Sequence, residues 1–213
     1  MDFDWSTNEL YAAMYIGGGS GQFVKLDLQT GAVLSSEDTT PLDAEMEMAV
    51  QATVPDSLGT VFCDPALINS TGNPVVVSGL VSPVGSGLHL DAVGGPIGDF
   101  GYFLVGDTAN ASNPVVLGDG LLCLDVAGGG ILGRYNVVGG ALNSIGVFDG
   151  DGRLVNAAGT SLAGVGYDVP AVLPLPGSPA ITAGSTWHFQ LWYRDSGAGA
   201  GHSNLSNGLS VGF

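Results

Sequence analysis

Short apolar runs separated by glycine recur along most of this chain. From Val61 to Phe213, segments such as "GYFLVG", "GLLCL" and "SIGVF" follow one another at about ten-residue spacing, and the chain contains 36 glycines. This spacing is typical of a β-sandwich or jelly roll, and the chain lacks the strand–helix alternation of a parallel α/β sheet. Hydrophobic residues make up 45% of the chain, enough to bury a core. The sequence therefore predicts an all-β protein with a β-sandwich or jelly-roll-like domain over residues 61–213.

Residues 1–52 follow a different pattern. Leu10–Tyr15 and Gln22–Leu28 alternate as strands do, and "QTGAV" predicts a tight turn in which Gly31 supplies a positive φ. A third strand follows the turn. The segment is predicted to be a small N-terminal β-meander that resembles one blade of a β-propeller, with an ordinary meander as the alternative.

An acidic stretch connects the two segments. It contains a candidate helical turn at Ala44–Ala49, and residues 53–60 are assigned to a linker. A single propeller blade needs neighbours to cover its faces. The N-terminal strands are therefore expected to promote self-association, as a homo-oligomer or as a polymer built by strand addition.

The charge balance restricts the classes of partner. The net charge is −16, from 20 acidic and only 4 basic residues, and charged residues make up 11% of the chain. A basic patch that could neutralise phosphates is missing, so nucleic acid is not an expected partner, and no apolar run is long enough to span a membrane. The low charge favours a secreted, extracellular protein. The first residues, "MDFDWSTNEL", do not resemble a signal peptide. If the protein is exported, this chain is therefore expected to be a mature or truncated form.

The stretch "TWHFQLWYRD" predicts a strand with two unlike faces. Alternation places one set of side chains on the core side: Trp187, Phe189, Leu191 and Tyr193. Trp192 lies on the opposite, polar face beside His188 and Gln190. These three residues are the candidate ligand-binding site, in which Trp192 would stack on a sugar and the other two would form hydrogen bonds. Tyr193 and Trp5 are further candidates for stacking.

Other polar residues suggest weaker candidates for chemistry. Asp149 and Asp151 in "FDGDGRL" suggest calcium, although a hairpin turn explains the same residues; no other cofactor is predicted. His188 or His202 with Asp195 could belong to a catalytic triad, but no "GxSxG" elbow presents a serine.

The remaining acidic and histidine candidates lie on predicted strands. Asp91 and Asp125 could serve as paired carboxylates of a glycoside hydrolase, although nothing in the sequence places them together. His89 is expected on an exposed strand face together with Asp91.

Cys63 and Cys123 are the only cysteines. Two buried thiols and a disulfide are both consistent with the sequence, and the extracellular character of the composition favours the disulfide.

Five spaced motifs carry a resemblance to a known group of proteins: "FCDPALINSTGNP", "FGYFLVGDT", "GDGLLCL", "GSTWHFQLWYRDSG" and "SNLSNGLSVGF". Together they resemble a C-terminal domain of large secreted proteins of planctomycetes and similar bacteria. The resemblance covers about residues 61–213, and a blade-like segment typically precedes such domains. It implies secretion, a β-rich fold and pairing of Cys63 with Cys123, but it gives no activity and no catalytic residues.

Three functions are consistent with these observations. The first is a secreted, non-catalytic module for extracellular adhesion, surface assembly or self-association. The second is a carbohydrate-binding module whose partner is an extracellular glycan. The third is a secreted hydrolase of polysaccharides or lactones whose catalytic residues the sequence does not identify. The first is the expectation from composition and motif content.

Overall fold

The computed structural model describes residues 2–4, 9–17, 20–27, 30–39 and 58–213. Ala44–Ala49 and Trp5 lie outside the described residues. Within the described ones, the regular structure is antiparallel strand except for a 3-10 turn at Ser196–Ala198, so the predicted all-β class is confirmed. None of the described residues forms a helix long and apolar enough to cross a membrane.

The strands are β1 (Asp2–Asp4), β2 (Glu9–Gly17), β3 (Ser20–Leu26), β4 (Val33–Thr39), β5 (Thr60–Phe62), β6 (Val76–Val81), β7 (Leu88–Val93), β8 (Phe100–Gly106), β9 (Val115–Leu117), β10 (Gly120–Leu122), β11 (Leu132–Arg134), β12 (Gly146–Phe148), β13 (Leu154–Asn156), β14 (Tyr167–Asp168), β15 (Thr186–Arg194) and β16 (Ser203–Gly212). They divide into two compact units, Met1–Asp56 and Ser57–Phe213.

The unit Met1–Asp56 contains the predicted β-meander. Its described residues form a sheet in the order β1-β2-β3-β4, which is one strand more than the three expected. The turn between β3 and β4 is closed by the Asp27 carboxylate, which accepts hydrogen bonds from the N–H and the hydroxyl of Thr30 at 2.7 Å. Gly31 has the expected positive φ of 69°. Val24 is buried on this sheet, whereas Val33 on the edge strand β4 is 51% exposed.

Three sheets form the unit Ser57–Phe213. The largest has seven strands in the order β13-β12-β8-β15-β16-β5, with β11 also paired to β8. The second has the order β14-β7-β6, and β9 and β10 form a two-stranded hairpin. All pairings are antiparallel.

The main core lies between the seven-stranded and the three-stranded sheet, as in a β-sandwich. The side chains that share it come from both sheets and include Val77, Leu88, Leu90, Phe103, Val105, Phe189, Leu191, Tyr193 and Leu209. The alternation predicted for β15 is confirmed, because Phe189, Leu191 and Tyr193 are fully buried and Trp187 packs against the same cluster.

A β-bulge interrupts the pairing of β15 with β16 and carries buried polar side chains. The register shifts between Gln190 and Trp192. Opposite this shift, the Ser206 hydroxyl accepts a hydrogen bond from the Leu191 N–H at 2.9 Å. The neighbouring Asn207 carboxamide contacts the backbone of Val77 in β6, accepting from its N–H at 2.7 Å and donating to its carbonyl at 3.1 Å. Asn207 therefore connects the seven-stranded sheet to the three-stranded sheet.

Cys63 and Cys123 form a disulfide, with their Cα atoms 6.3 Å apart and a separation of 60 positions in the sequence. Cys63 follows β5 at the edge of the large sheet, and Cys123 follows β10. The bridge therefore joins the small hairpin to that edge. A disulfide is also compatible with an extracellular protein.

The amide of Asn207 provides a test of the connection between the sheets. Asn207→Ala would leave the buried N–H and carbonyl of Val77 without partners, and each such group costs about 1–3 kcal/mol. We expect the free energy of unfolding in urea to fall by about 2–4 kcal/mol. Asn113→Ala, at an exposed asparagine, should change it by less than about 0.5 kcal/mol. Equal effects of the two substitutions would contradict this role of Asn207.

The disulfide provides a second test. Because the bridge closes a loop of 60 residues, the chain-entropy model assigns it about 4 kcal/mol of stabilisation, as an upper value. We expect reduction with dithiothreitol to lower the midpoint of urea unfolding. Thiol labelling of the oxidised chain in denaturant should find no free thiol, and a labelled cysteine there would contradict the pairing.

Candidate binding groove

Aromatic side chains lie side by side on the outer face of the large sheet, away from the main core. In the register of β15 and β8, Trp192 lies directly opposite Tyr102. Their ring centroids are 5.0 Å apart, and the ring of Phe100 lies 5.8 Å from that of Trp192. Phe100 is 40% exposed, and Tyr102 and Trp192 are half-buried. The three rings form a continuous aromatic strip at the surface.

The β9–β10 hairpin lies over the same face and is held there by Gln190. The Gln190 carboxamide accepts a hydrogen bond from the Cys123 N–H at 3.0 Å and donates to the Leu121 carbonyl at 2.8 Å. A second hydrophobic cluster fills the space beneath the hairpin, and its buried members are Leu104, Leu122, Leu124 and Leu205. The outer face of the sheet is therefore largely apolar.

A groove of about 240 Å³ opens between the hairpin and the aromatic strip. We call it the aromatic groove, and it is lined by Tyr102, Leu104, Leu117, Leu122, Leu132, Arg134 and Trp192. The residues come from five strands. Arg134 is placed there by the pairing of β11 with β8, which sets it opposite Leu104.

The polar atoms of the aromatic groove are available to a ligand. Arg134 is exposed, and within residues 58–213 its guanidinium has no hydrogen bond or ion pair. A second cation, Arg194, lies with its guanidinium carbon 5.8 Å from the centre of the Trp192 ring and donates to the Gly201 carbonyl at 2.9 Å. The chain has four lysine and arginine residues. One of them lines the aromatic groove, and a second lies beside the Trp192 ring.

Trp192, one of the three residues predicted to bind ligand, lines the aromatic groove. Gln190 does not, and its prediction as a ligand-binding residue is wrong, because its side chain is fully buried and is bonded to backbone. The prediction that Tyr193 stacks on a ligand is wrong for the same reason of burial. An amide placed between two apolar layers binds backbone rather than ligand, since leaving its donors unpaired would be costly.

His188 lies on the same outer face but apart from the groove lining. It is half-buried, and its Nδ1 is hydrogen bonded to the Ser210 hydroxyl at 2.7 Å. Its ring also packs edge-on against Phe62, at 5.8 Å between centroids. Burial lowers the pKa of His188 below its ordinary value, although the charge of Asp107 acts in the opposite direction.

The other two histidines, unlike His188, have carboxylate partners. His89 and Asp91 are buried, so the prediction that they face solvent is wrong, and His89 Nδ1 lies 2.9 Å from Asp168 Oδ1. Burial alone would raise the pKa of Asp168, but hydrogen bonds from the Leu162 N–H, from His89 and from Ser82 lower it below its usual value.

The triad suggested around Asp195 does not form. His202 Nδ1 lies 2.5 Å from Asp119 in an exposed pair instead. Asp195 is buried and accepts hydrogen bonds from the N–H and the hydroxyl of Ser70.

The aspartates proposed for metal binding and hydrolysis make structural contacts. Asp149 Oδ1 accepts hydrogen bonds from the N–H groups of Asp151 and Arg153, which closes the predicted hairpin turn between β12 and β13. Asp91 pairs with the Arg153 guanidinium at 2.7 Å, and Asp125 caps a turn through the N–H groups of residues 127 and 128. Among the described residues, no group of three or more acidic, histidine or cysteine side chains could hold a metal ion.

Sequence reasoning missed most of the aromatic groove. The alternation in "FGYFL" carries a usable signal for Tyr102 and Leu104, because it places them on the face opposite Phe103. Arg134 and Leu117 carry no such signal, since their positions depend on which strands pair with which.

No protein-family model matches this chain, and no curated protein or solved structure is similar enough to count as a match.

The lowered pKa of His188 predicts a pH dependence of stability. Because its pKa is lower in the folded than in the unfolded chain, the unfolded chain binds the proton first as the pH falls through about 6.5. The free energy of unfolding should therefore fall between about pH 7.5 and about pH 5.5. The fall should be smaller in His188→Gln, as urea unfolding at the two pH values would measure. An equal or larger fall in the variant would contradict the assignment.

Proposed function

We propose that this chain is a secreted, non-catalytic module for extracellular adhesion or surface assembly, and that it binds its partner in the aromatic groove. The observation that carries the proposal is the groove itself. It combines a half-buried indole and phenol, four leucines and a guanidinium that has no partner within residues 58–213. Apolar concave sites with a few convergent polar groups are the usual form of ligand sites.

The way this groove is supported favours binding. Its lining residues project from paired strands, and the overlying hairpin is fixed by Gln190 and by the Cys63–Cys123 disulfide. Sites on such elements hold their geometry better than sites on loops. The disulfide would suit an extracellular environment.

A carbohydrate-binding module is the second candidate, and the aromatic strip of Phe100, Tyr102 and Trp192 favours it. Sugar faces stack on such rings. A glycan array separates this candidate from a protein partner. The hydrolase alternative has less support, because Asp91 and Asp195 are occupied by Arg153 and Ser70.

Self-association through the N-terminal strands stays a prediction. The edge strand β4 provides a local reason for it, since its residues from Val33 to Glu37 are exposed. Exposed edge strands are prone to pair with another chain.

The proposal predicts retention on cell surfaces that depends on the groove. We expect the purified chain to remain on washed cells that secrete it, and the double variant Tyr102→Ala, Arg134→Glu to be retained about tenfold less. Val138→Ser, at a residue that is 84% exposed and does not line the groove, is the matched control and should behave as the native chain. Equal retention of the groove variant and the control would overturn the proposal.

A further inference from the structure

We infer that the aromatic groove takes a small apolar carboxylate, one ring or one branched chain in size. This inference rests on the proposed function, in which the groove is the binding site. It specifies the chemistry of the group that enters the groove.

The volume limits the size of this group. At about 240 Å³, the groove is smaller than the roughly 300–1,000 Å³ of sites for drug-sized ligands. It can therefore enclose the end of a molecule or a single ring, but not an extended chain of several rings.

The lining determines the polarity of the group. Four of the seven lining residues are leucines: Leu104, Leu117, Leu122 and Leu132. Leucine side chains form no hydrogen bonds, so a hydroxylated sugar ring packed against them would lose hydrogen bonds to water without replacement, which is unfavourable. An apolar ring or branched chain makes favourable contacts with the same surface.

The charge of the lining determines the sign of the group. Among the seven described residues that line the groove, Arg134 is the only charged one, in a chain with 20 acidic residues. Its guanidinium has no partner within residues 58–213 and can bind a carboxylate through two parallel hydrogen bonds. The other polar side-chain groups of the lining residues are Trp192 Nε1, which can only donate, and the Tyr102 hydroxyl, which can donate or accept. An apolar acid matches this arrangement of donors better than an amine or a neutral ring.

Such a group can come from a free organic acid or from the carboxyl terminus of a protein that ends on an apolar residue. The two sources share one chemistry, a carboxylate beside an apolar side chain. The experiment therefore includes both, each with a neutral counterpart of the same shape.

The test measures binding by isothermal titration calorimetry on the full chain. The probes are 3-phenylpropionate and its amide, glucuronate, and a short peptide ending on leucine as the free acid or as the amide. We expect 3-phenylpropionate to bind at least about tenfold more tightly than its amide. Glucuronate should bind more weakly than 3-phenylpropionate, because its hydroxyls would contact leucine side chains that form no hydrogen bonds. The peptide pair shows whether a chain terminus is also accepted.

Two variants and one control identify the groove as the site. Arg134→Gln should remove the preference for the acid over the amide and leave the weak binding of the amide unchanged. Leu117→Ser, at a residue that is 43% exposed, should weaken the binding of the acid and of the amide by the same factor. Lys25→Gln is the control, because it removes one positive charge from the unit Met1–Asp56. It should change the binding of neither the acid nor the amide.

The outcomes separate this inference from the proposed function. Equal binding of acid and amide, tighter binding of glucuronate, or an unchanged preference in Arg134→Gln would each overturn the inference. If the acids fail to bind while the groove variant still loses retention on cells, the groove is an adhesion site with a different ligand. If retention also stays unchanged, both the inference and the proposed function are wrong.

Discussion

The arrangement of the Ser57–Phe213 unit depends on side-chain amides that bind backbone across sheet boundaries. At the bulge between β15 and β16, Gln190 extends to the outer hairpin and Asn207 extends to β6 on the core side. Both amides are buried in apolar surroundings, where an unpaired polar group is costly. The β-bulge between β15 and β16 thus carries the two amides that connect the seven-stranded sheet to the three-stranded sheet and to the β9–β10 hairpin.

The aromatic groove follows from this arrangement. A sheet whose outer face carries leucines and aromatic rings would expose a large apolar surface unless something covered it. The β9–β10 hairpin covers part of that face, held by Gln190 in the middle of β15 and by the disulfide to Cys63 after β5. It leaves uncovered the part of the face near Trp192 and Tyr102, and the boundary between the covered and the open part is the groove.

The distribution of charge adds to the chemical character of the site. The protein has a net charge of −16, so the Arg134 guanidinium, which has no partner within residues 58–213, differs in charge from most of the remaining surface. Arg153, by contrast, is paired with Asp91 and is not available to a ligand. Long-range repulsion from the acidic surface would slow the approach of an anionic ligand, and this effect would weaken as salt is added.

The amino-acid sequence by itself determined what depends on local periodicity. Alternation assigned Trp187, Phe189, Leu191 and Tyr193 to the core side and Trp192 to the other face, and glycine spacing predicted an all-β chain. The cysteine count was consistent with two buried thiols or with a disulfide, and the structure contains the disulfide. The tertiary structure alone decided that Gln190 is structural, that His89 is buried and that Arg134 meets Trp192 at a groove. The physical reason is that these roles arise from strand pairings and hydrogen bonds between residues far apart in the chain, such as Gln190 with Leu121. The local sequence pattern does not indicate which distant segments will pair.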